Sequence, residues 1–163
     1  ERIVYLGDTQ HEAVAQESAL KILELTAGIT VPLYNTPLGF RHGPKSIINS
    51  KTLVVVYMQN DGYVRKYQKD FIKEISVQRD GTQLMVIDTQ NDADIEAMVD
   101  KYVSIKYNNT VDFGLEVLNL VMYGQTMSLY KSIAVGKNPD NPWPSGQVNR
   151  VVQGVIIYPF EEE

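Results

Sequence analysis

Glu17, Lys21 and Glu24 stand at i, i+4 and i+7 in the segment ESALKILEL, so on a helix they share one narrow face. Two readings fit that spacing. A solvated stripe of ion pairs needs only alternating charge on an exposed face. A carboxylate held beside an ammonium group, both near the ligand edge of a sheet, can also move a proton next to a carbonyl. A second group lies at GFRHGPKS, residues 39–46, where His42 sits between Arg41 and Lys45. Gly43 and Pro44 suit the cap and first position of a short helix over KSIIN. The N–H groups of Lys45 and Ser46 would then point outward toward a negative ligand, with His42 at the entrance as a proton-transfer group. An incidental loop histidine fits these letters equally well.

The same eight residues come within one letter of G-x-x-x-x-G-K-[ST], the loop that cradles nucleotide phosphates. Pro44 replaces the second glycine and has no N–H to give, and the segment does not follow the first strand. Both facts argue against an ATPase. His11-Glu12 opens like the zinc pattern H-E-x-x-H, but Ala15 occupies the second histidine position, so His11 reads as an exposed first-turn residue. G-x-S-x-G and G-x-G-x-x-G are both missing, and with them the serine-hydrolase and dinucleotide signatures. Cysteine is absent and histidines number two, which removes disulfides, thiolate chemistry and a multi-histidine metal site within one chain. A net charge of −5 without a basic run argues against nucleic acid. Arg65, Lys66 and Lys69 are expected on a solvated helix face. No apolar run approaches a membrane span and no signal peptide is present, so the expectation is a cytoplasmic protein without a membrane partner.

The elements that must position these groups alternate along the chain. RIVYL (2–6) reads as a strand ending at Gly7, followed by a helix to about residue 27 that Thr9 and Glu12 would cap as a capping box. Gly28 is its expected left-handed stop. Strands follow at 30–34, 52–58, 83–88 and about 102–107, and helices at 62–78, 92–99 and 111–135. TLVVVYM is apolar on both faces, as a central parallel strand requires. This order predicts an α/β three-layer sandwich: a mostly parallel five-stranded sheet flanked by helices, with ligands at the carboxyl ends of the strands. Pro139, Pro142 and Pro144 then mark an extended tail that ends in the β-rich VVQGVIIYP. The expected division is 1–137 for the domain and 138–163 for a tail packed on it or on a partner.

TPLGFRHGPKSII and NPDNPWPSGQVNRVVQGVIIYP together resemble the tagatose-6-phosphate ketose/aldose isomerase family, AgaS type, which are double-SIS (sugar isomerase) proteins also described as galactosamine-6-phosphate deaminases. The helix ESALKILELTAG followed by RHGP is similar to the second SIS domain of the isomerase half of glucosamine-6-phosphate synthase. The resemblance implies that Glu24 is the base moving a proton between C1 and C2, with Glu17 and Lys21 beside it. It implies that His42 assists ring opening from the neighbouring subunit, hence a homo-oligomer, a dimer at least. Substrate contacts are implied for Glu17, Arg41, Arg150 and Gln153, with Arg150 and Gln153 near where the synthase has a tail lysine. A sugar phosphate is the implied substrate, and no metal or organic cofactor is needed, since the substrate's carbonyl or imine is the electron sink.

Phosphosugar-binding SIS domains place Ser/Thr-rich loops after the first and third strands. Here those loops read GDTQHEA and QNDGYVRKY, with one threonine and no serine. The expectation is a C-terminal SIS domain whose phosphate grip lies in a preceding SIS domain, in keeping with a sequence that opens without methionine. Two alternatives stand beside this reading: a phosphosugar-sensing module of a regulator, which would need an intact phosphate loop, and a sister aminosugar isomerase or deglycase.

Overall fold

The computed structural model describes residues 2–78, 80–106, 114–149 and 151–160. Strands β1 (Arg2–Gly7), β2 (Val31–Asn35), β3 (Thr52–Tyr57), β4 (Gln83–Asp88) and β5 (Lys101–Ser104) form one sheet in the order β2-β1-β3-β4-β5. Every pairing is parallel. Side-chain character explains the order. The apolar β3 is almost wholly buried between β1 and β4, whereas the half-exposed β2 and β5 take the edges. Helices α1 (Gln10–Leu25) and α5 (Glu116–Ala134) cover one face, over Tyr5, Val55, Tyr57 and Ile87. The other face carries α2 (Pro37–Arg41), α3 (Gly62–Gln78) and α4 (Ala93–Glu96), whose Phe40, Phe71, Ile72 and Ile95 join Val4, Leu6, Val54 and Val56. The expected three-layer α/β sandwich is the observed one. None of the described helices is long and apolar enough to cross a membrane.

Helices α1 and α5 meet through small residues. The buried positions of α5 are Glu116, Leu120, Gly124, Ser128 and Ser132, one every fourth residue. They face Ala15, Ser18 and Ala19 of α1, which are buried in turn. A Cβ on Gly124 would lie 2.0 Å from Ser18 Oγ and 3.1 Å from Tyr57 Oη. Ser18 Oγ already bonds Val14 O at 2.7 Å and Tyr57 Oη at 2.8 Å, so it cannot withdraw freely. Gly124→Ala should therefore destabilise the fold by about 2 kcal/mol through overpacking, read as a lower urea midpoint. An unchanged midpoint would contradict this close approach. The outer side of α5 is also apolar: Leu118, Met122, Leu129 and Ile133 are all exposed.

Several expectations are corrected. The capping box does not form: Thr9 has φ 51, its hydroxyl donates to Gln10 Oε1 and accepts from Gln59 Nε2, and no side chain caps α1. His11 is fully buried rather than exposed, because its Nε2 lies 2.9 Å from Glu116 Oε1 in the first turn of α5. Burial pushes the imidazole below the usual histidine range, against the pull of the Glu116 carboxylate. Arg65 is not on a solvated face either. It forms a two-pronged pair with Asp88, which is fully buried at the end of β4. Gly28, with φ 74, ends α1 as expected, and Ala27 before it is also left-handed at φ 51. The β-rich end of the tail forms no strand among its described residues. It gains no ladder partner from either sheet edge, and Val151, Val152, Ile156 and Ile157 are exposed.

Candidate active site

The Glu17–Lys21–Glu24 stripe exists as spaced. Lys21 Nζ lies 2.6 Å from Glu24 Oε2 and 3.9 Å from Glu17 Oε1. Lys21 is 30% and Glu24 42% exposed at the side chain, so both are half-open to solvent. The hydrogen bond to Glu24 holds the Lys21 ammonium above its ordinary value, against a smaller opposing effect of burial. Lys21 is thus a fixed positive charge beside a carboxylate.

The stripe does not lie at the carboxyl ends of the strands, where ligands were expected. Helix α1 starts just beyond the carboxyl end of β1 and runs back for 16 residues, about 24 Å, to reach β2. Its last turn, with Lys21 and Glu24, therefore sits at the amino edge of the sheet. His42 follows α2 on the other face of the sheet, where its neighbours Arg41 and Lys45 reach Asp70, Glu74 and Gln78 in the second half of α3. Within one chain the sheet lies between Glu24 on α1 and the His42 loop on the α2–α3 face.

The chain turns on both sides of His42. Thr36 caps α2 by accepting from Gly39 N at 3.0 Å, and Phe40 is buried edge-on against Phe71 at 6.2 Å. His42 ends α2, exposed to solvent. Gly43 at φ 149 reverses the chain, in a region an L side chain rarely adopts, and Pro44 starts a 3-10 turn over Pro44–Ile47. That start is the expected one, but the anion-attracting N-terminus is not, since Ser46 N donates to Gly43 O at 3.0 Å. Arg41 donates to Glu74 at 2.5 Å and to Asp70 at 3.0 Å on α3.

At the carboxyl edge the crevice between β1 and β3, where the strand order reverses, is filled by the chain's own polar groups. Gln59 Nε2 donates to Asp8 O at 2.8 Å and to Thr9 Oγ1 at 2.5 Å. Gln68 donates to Asp8 Oδ2 at 3.1 Å and accepts from Gln59 N at 2.8 Å. Asn60 bridges Glu116 to Thr89. The single threonine of these loops is spent, and Asp8 and Glu116 add acidic groups to the same network.

Sequence reasoning missed how the tail meets the stripe. Pro139, Asp140, Asn141, Pro142, Trp143, Val148 and Asn149 cross the end of α1 and, with Lys21, Glu24 and Leu25, enclose a cleft of about 340 Å³. The carboxylate and ammonium thus face a pocket walled by an aromatic ring and several amides, a size suited to a small polar ligand. The signal was present in NPDNPWP, whose prolines stiffen the crossing. Of the two tail residues expected to touch substrate, Gln153 is exposed and does not line the cleft, and Arg150 lies outside the described residues.

No protein-family profile matches the chain. It is 44% identical over 159 residues to the D-galactosamine-6-phosphate deaminase AgaS of Shewanella sp. (strain ANA-3), covering 98% of this chain and 38% of that protein. The E. coli O157:H7 protein of the same description is 41% identical over 160 residues, with 41% of its length covered. Among solved structures, the tagatose-6-phosphate ketose/aldose isomerase of Escherichia coli superposes with a TM-score of 0.80 at 36% identity, over 99% of this chain and 40% of that one. A Clostridium novyi structure described by the same activity reaches 0.91 at 43% identity, over 98% and 41%. The chain thus spans about two-fifths of the length of the curated relatives it matches.

Proposed function

We infer that this chain, which resembles a part of the AgaS-type galactosamine-6-phosphate deaminases and tagatose-6-phosphate ketose/aldose isomerases along its whole length, is the C-terminal SIS domain of a phosphosugar isomerase/deaminase. The observation that carries the reading is the Lys21–Glu24 pair at 2.6 Å, opening into the tail-covered cleft. Glu24 takes the proton from C2 of the open-chain aminosugar phosphate, leaving an enolamine, and returns it to C1. The product is a C2 imine, which water hydrolyses to the ketose phosphate and ammonia. With a hydroxyl in place of the amine, the same proton shuttle interconverts aldose and ketose. Lys21 holds a positive charge beside the base and opposes the negative charge that develops on the substrate oxygen.

His42 opens the sugar ring in a site belonging to another subunit, as its place on the opposite face of the sheet from Glu24 favours. The phosphate is gripped by a preceding domain, since the crevice that would hold it here is closed by Gln59, Gln68 and acidic groups. The protein works as a homo-oligomer in the cytoplasm.

Mixed subunits test the sharing. In the full-length protein, Glu24→Gln and His42→Ala are each expected to be nearly inactive alone. Mixed, they should recover about a quarter of wild-type ammonia release, one complete site in half of the dimers. Verified mixed dimers that stay inactive would contradict a shared site.

A further inference from the structure

Glu74 of α3 accepts from both cations that flank His42 in sequence. Arg41, one residue before the histidine, donates from Nε to Glu74 Oε2 at 2.5 Å, and a second guanidinium nitrogen reaches the same oxygen. Lys45, three residues after it, donates to Glu74 Oε1 at 2.5 Å. One carboxylate therefore closes a ring around residues 41–45, with each oxygen holding one end. Its side chain is only 17% exposed. Lys45 and then Arg41 hold the Glu74 carboxyl below its ordinary range, against an opposing desolvation.

The rest of the loop is anchored outside this ring. Phe40 is fully buried, and Ile47 and Ile48 pack on the same core. Arg2 also donates to Ile47 O at 2.9 Å. Between these anchors the chain passes through Gly43 at φ 149, whose missing Cβ leaves the backbone its widest freedom. Apolar anchoring fixes where the loop begins and ends. It does not fix the direction in which residue 42 projects, and the Glu74 ring lies directly across that segment. Ion pairs at a partly exposed position such as this contribute little to global stability. Closing a short loop around a positive-φ glycine contributes instead to geometry.

We propose that Glu74 is a positioning residue: by clamping Arg41 and Lys45 it aims the exposed His42 at the site of the neighbouring subunit. The proposal rests on His42 acting there. It also reassigns Arg41 from substrate contact to loop brace. No element of the clamp touches the Lys21–Glu24 cleft of its own chain, so its effect travels only through His42.

The test uses the full-length protein and four variants: Glu74→Gln, Glu74→Asp, His42→Ala and the double Glu74→Gln/His42→Ala. Glu74→Gln is expected to lower kcat by on the order of tenfold, the cost of a misaimed group, with KM within about twofold of wild type. Glu74→Asp should recover most of that loss. The double variant should be no slower than His42→Ala alone, because nothing remains to aim. Glu74→Gln subunits mixed with Glu24→Gln subunits should recover turnover, whereas mixing them with His42→Ala subunits should not. If Glu74→Gln folds poorly, Arg41→Gln/Lys45→Gln opens the clamp from the other side and should give the same kcat loss. Wild-type kcat in the folded clamp variants, or losses that multiply with His42→Ala, would overturn the positioning role while leaving His42 in place. A His42→Ala enzyme at wild-type rate would remove both His42 and the clamp from the mechanism.

Discussion

Replacing Glu24 with glutamine in the full-length protein is expected to cut kcat for ammonia release by on the order of 10³, within the usual span for loss of a general base. Substrate affinity should stay within about twofold. Glutamine keeps the size of the side chain and can still accept a hydrogen bond from Lys21, which lies 2.6 Å from the carboxylate today. The change removes only the group able to take a carbon-bound proton. Exchange of the substrate's C2 hydrogen with deuterated solvent, followed by NMR, reads the same step without the later hydrolysis, and it should fall in parallel. Near-normal exchange in Glu24→Gln would move the base elsewhere and leave the stripe as a solvated set of ion pairs.

The second large effect concerns the fold. Asp88 is fully buried at the end of β4, where it takes both guanidinium prongs of Arg65, the Tyr102 hydroxyl at 2.8 Å and the Gln90 N–H at 3.0 Å. Truncating it strands the charge of Arg65 in a site with little water. Asp88→Ala should cost about 3–5 kcal/mol, read from the urea midpoint of the folded protein. Arg65→Met added to Asp88→Ala should return a large part of that loss, because the stranded charge is then gone. A single variant within about 1 kcal/mol of wild type would show that Asp92, 3.3 Å from Arg65, replaces Asp88 without penalty.

What could be read from the chain divides along contact distance. The strands and helices follow from local periodicity: TLVVVY is apolar on both faces, and Val14, Ser18 and Ile22 recur at helical spacing. The Gly43–Pro44 turn follows from backbone chemistry alone. The partners of His11 and Arg65 lie 105 and 23 residues away, and no local pattern announces them. Thr9 illustrates the same limit. Its letters satisfy a capping box, but Gln59, 50 residues on, takes its hydroxyl instead. The misplacement of the stripe had a different origin. The spacing of Glu17, Lys21 and Glu24 was right, and only the direction in which α1 runs relative to the strands decided which edge they reach.

Helix α5 has a consequence for how this segment behaves by itself. Its buried side closes against α1 through small residues, and its outer side presents Leu118 (65% exposed), Met122 (61%), Leu129 (42%) and Ile133 (57%) to water. Among its 19 residues only Glu116 and Lys131 carry charge, and Glu116 is buried. What opposes contact between copies of the isolated segment is the net charge of −5 rather than the chemistry of this face. Such repulsion reaches about 30 Å at 0.01 M salt and only about 8 Å at 0.15 M. The segment by itself is therefore expected to disperse best in dilute buffer and to self-associate more readily as salt shortens the repulsion over this apolar helix face.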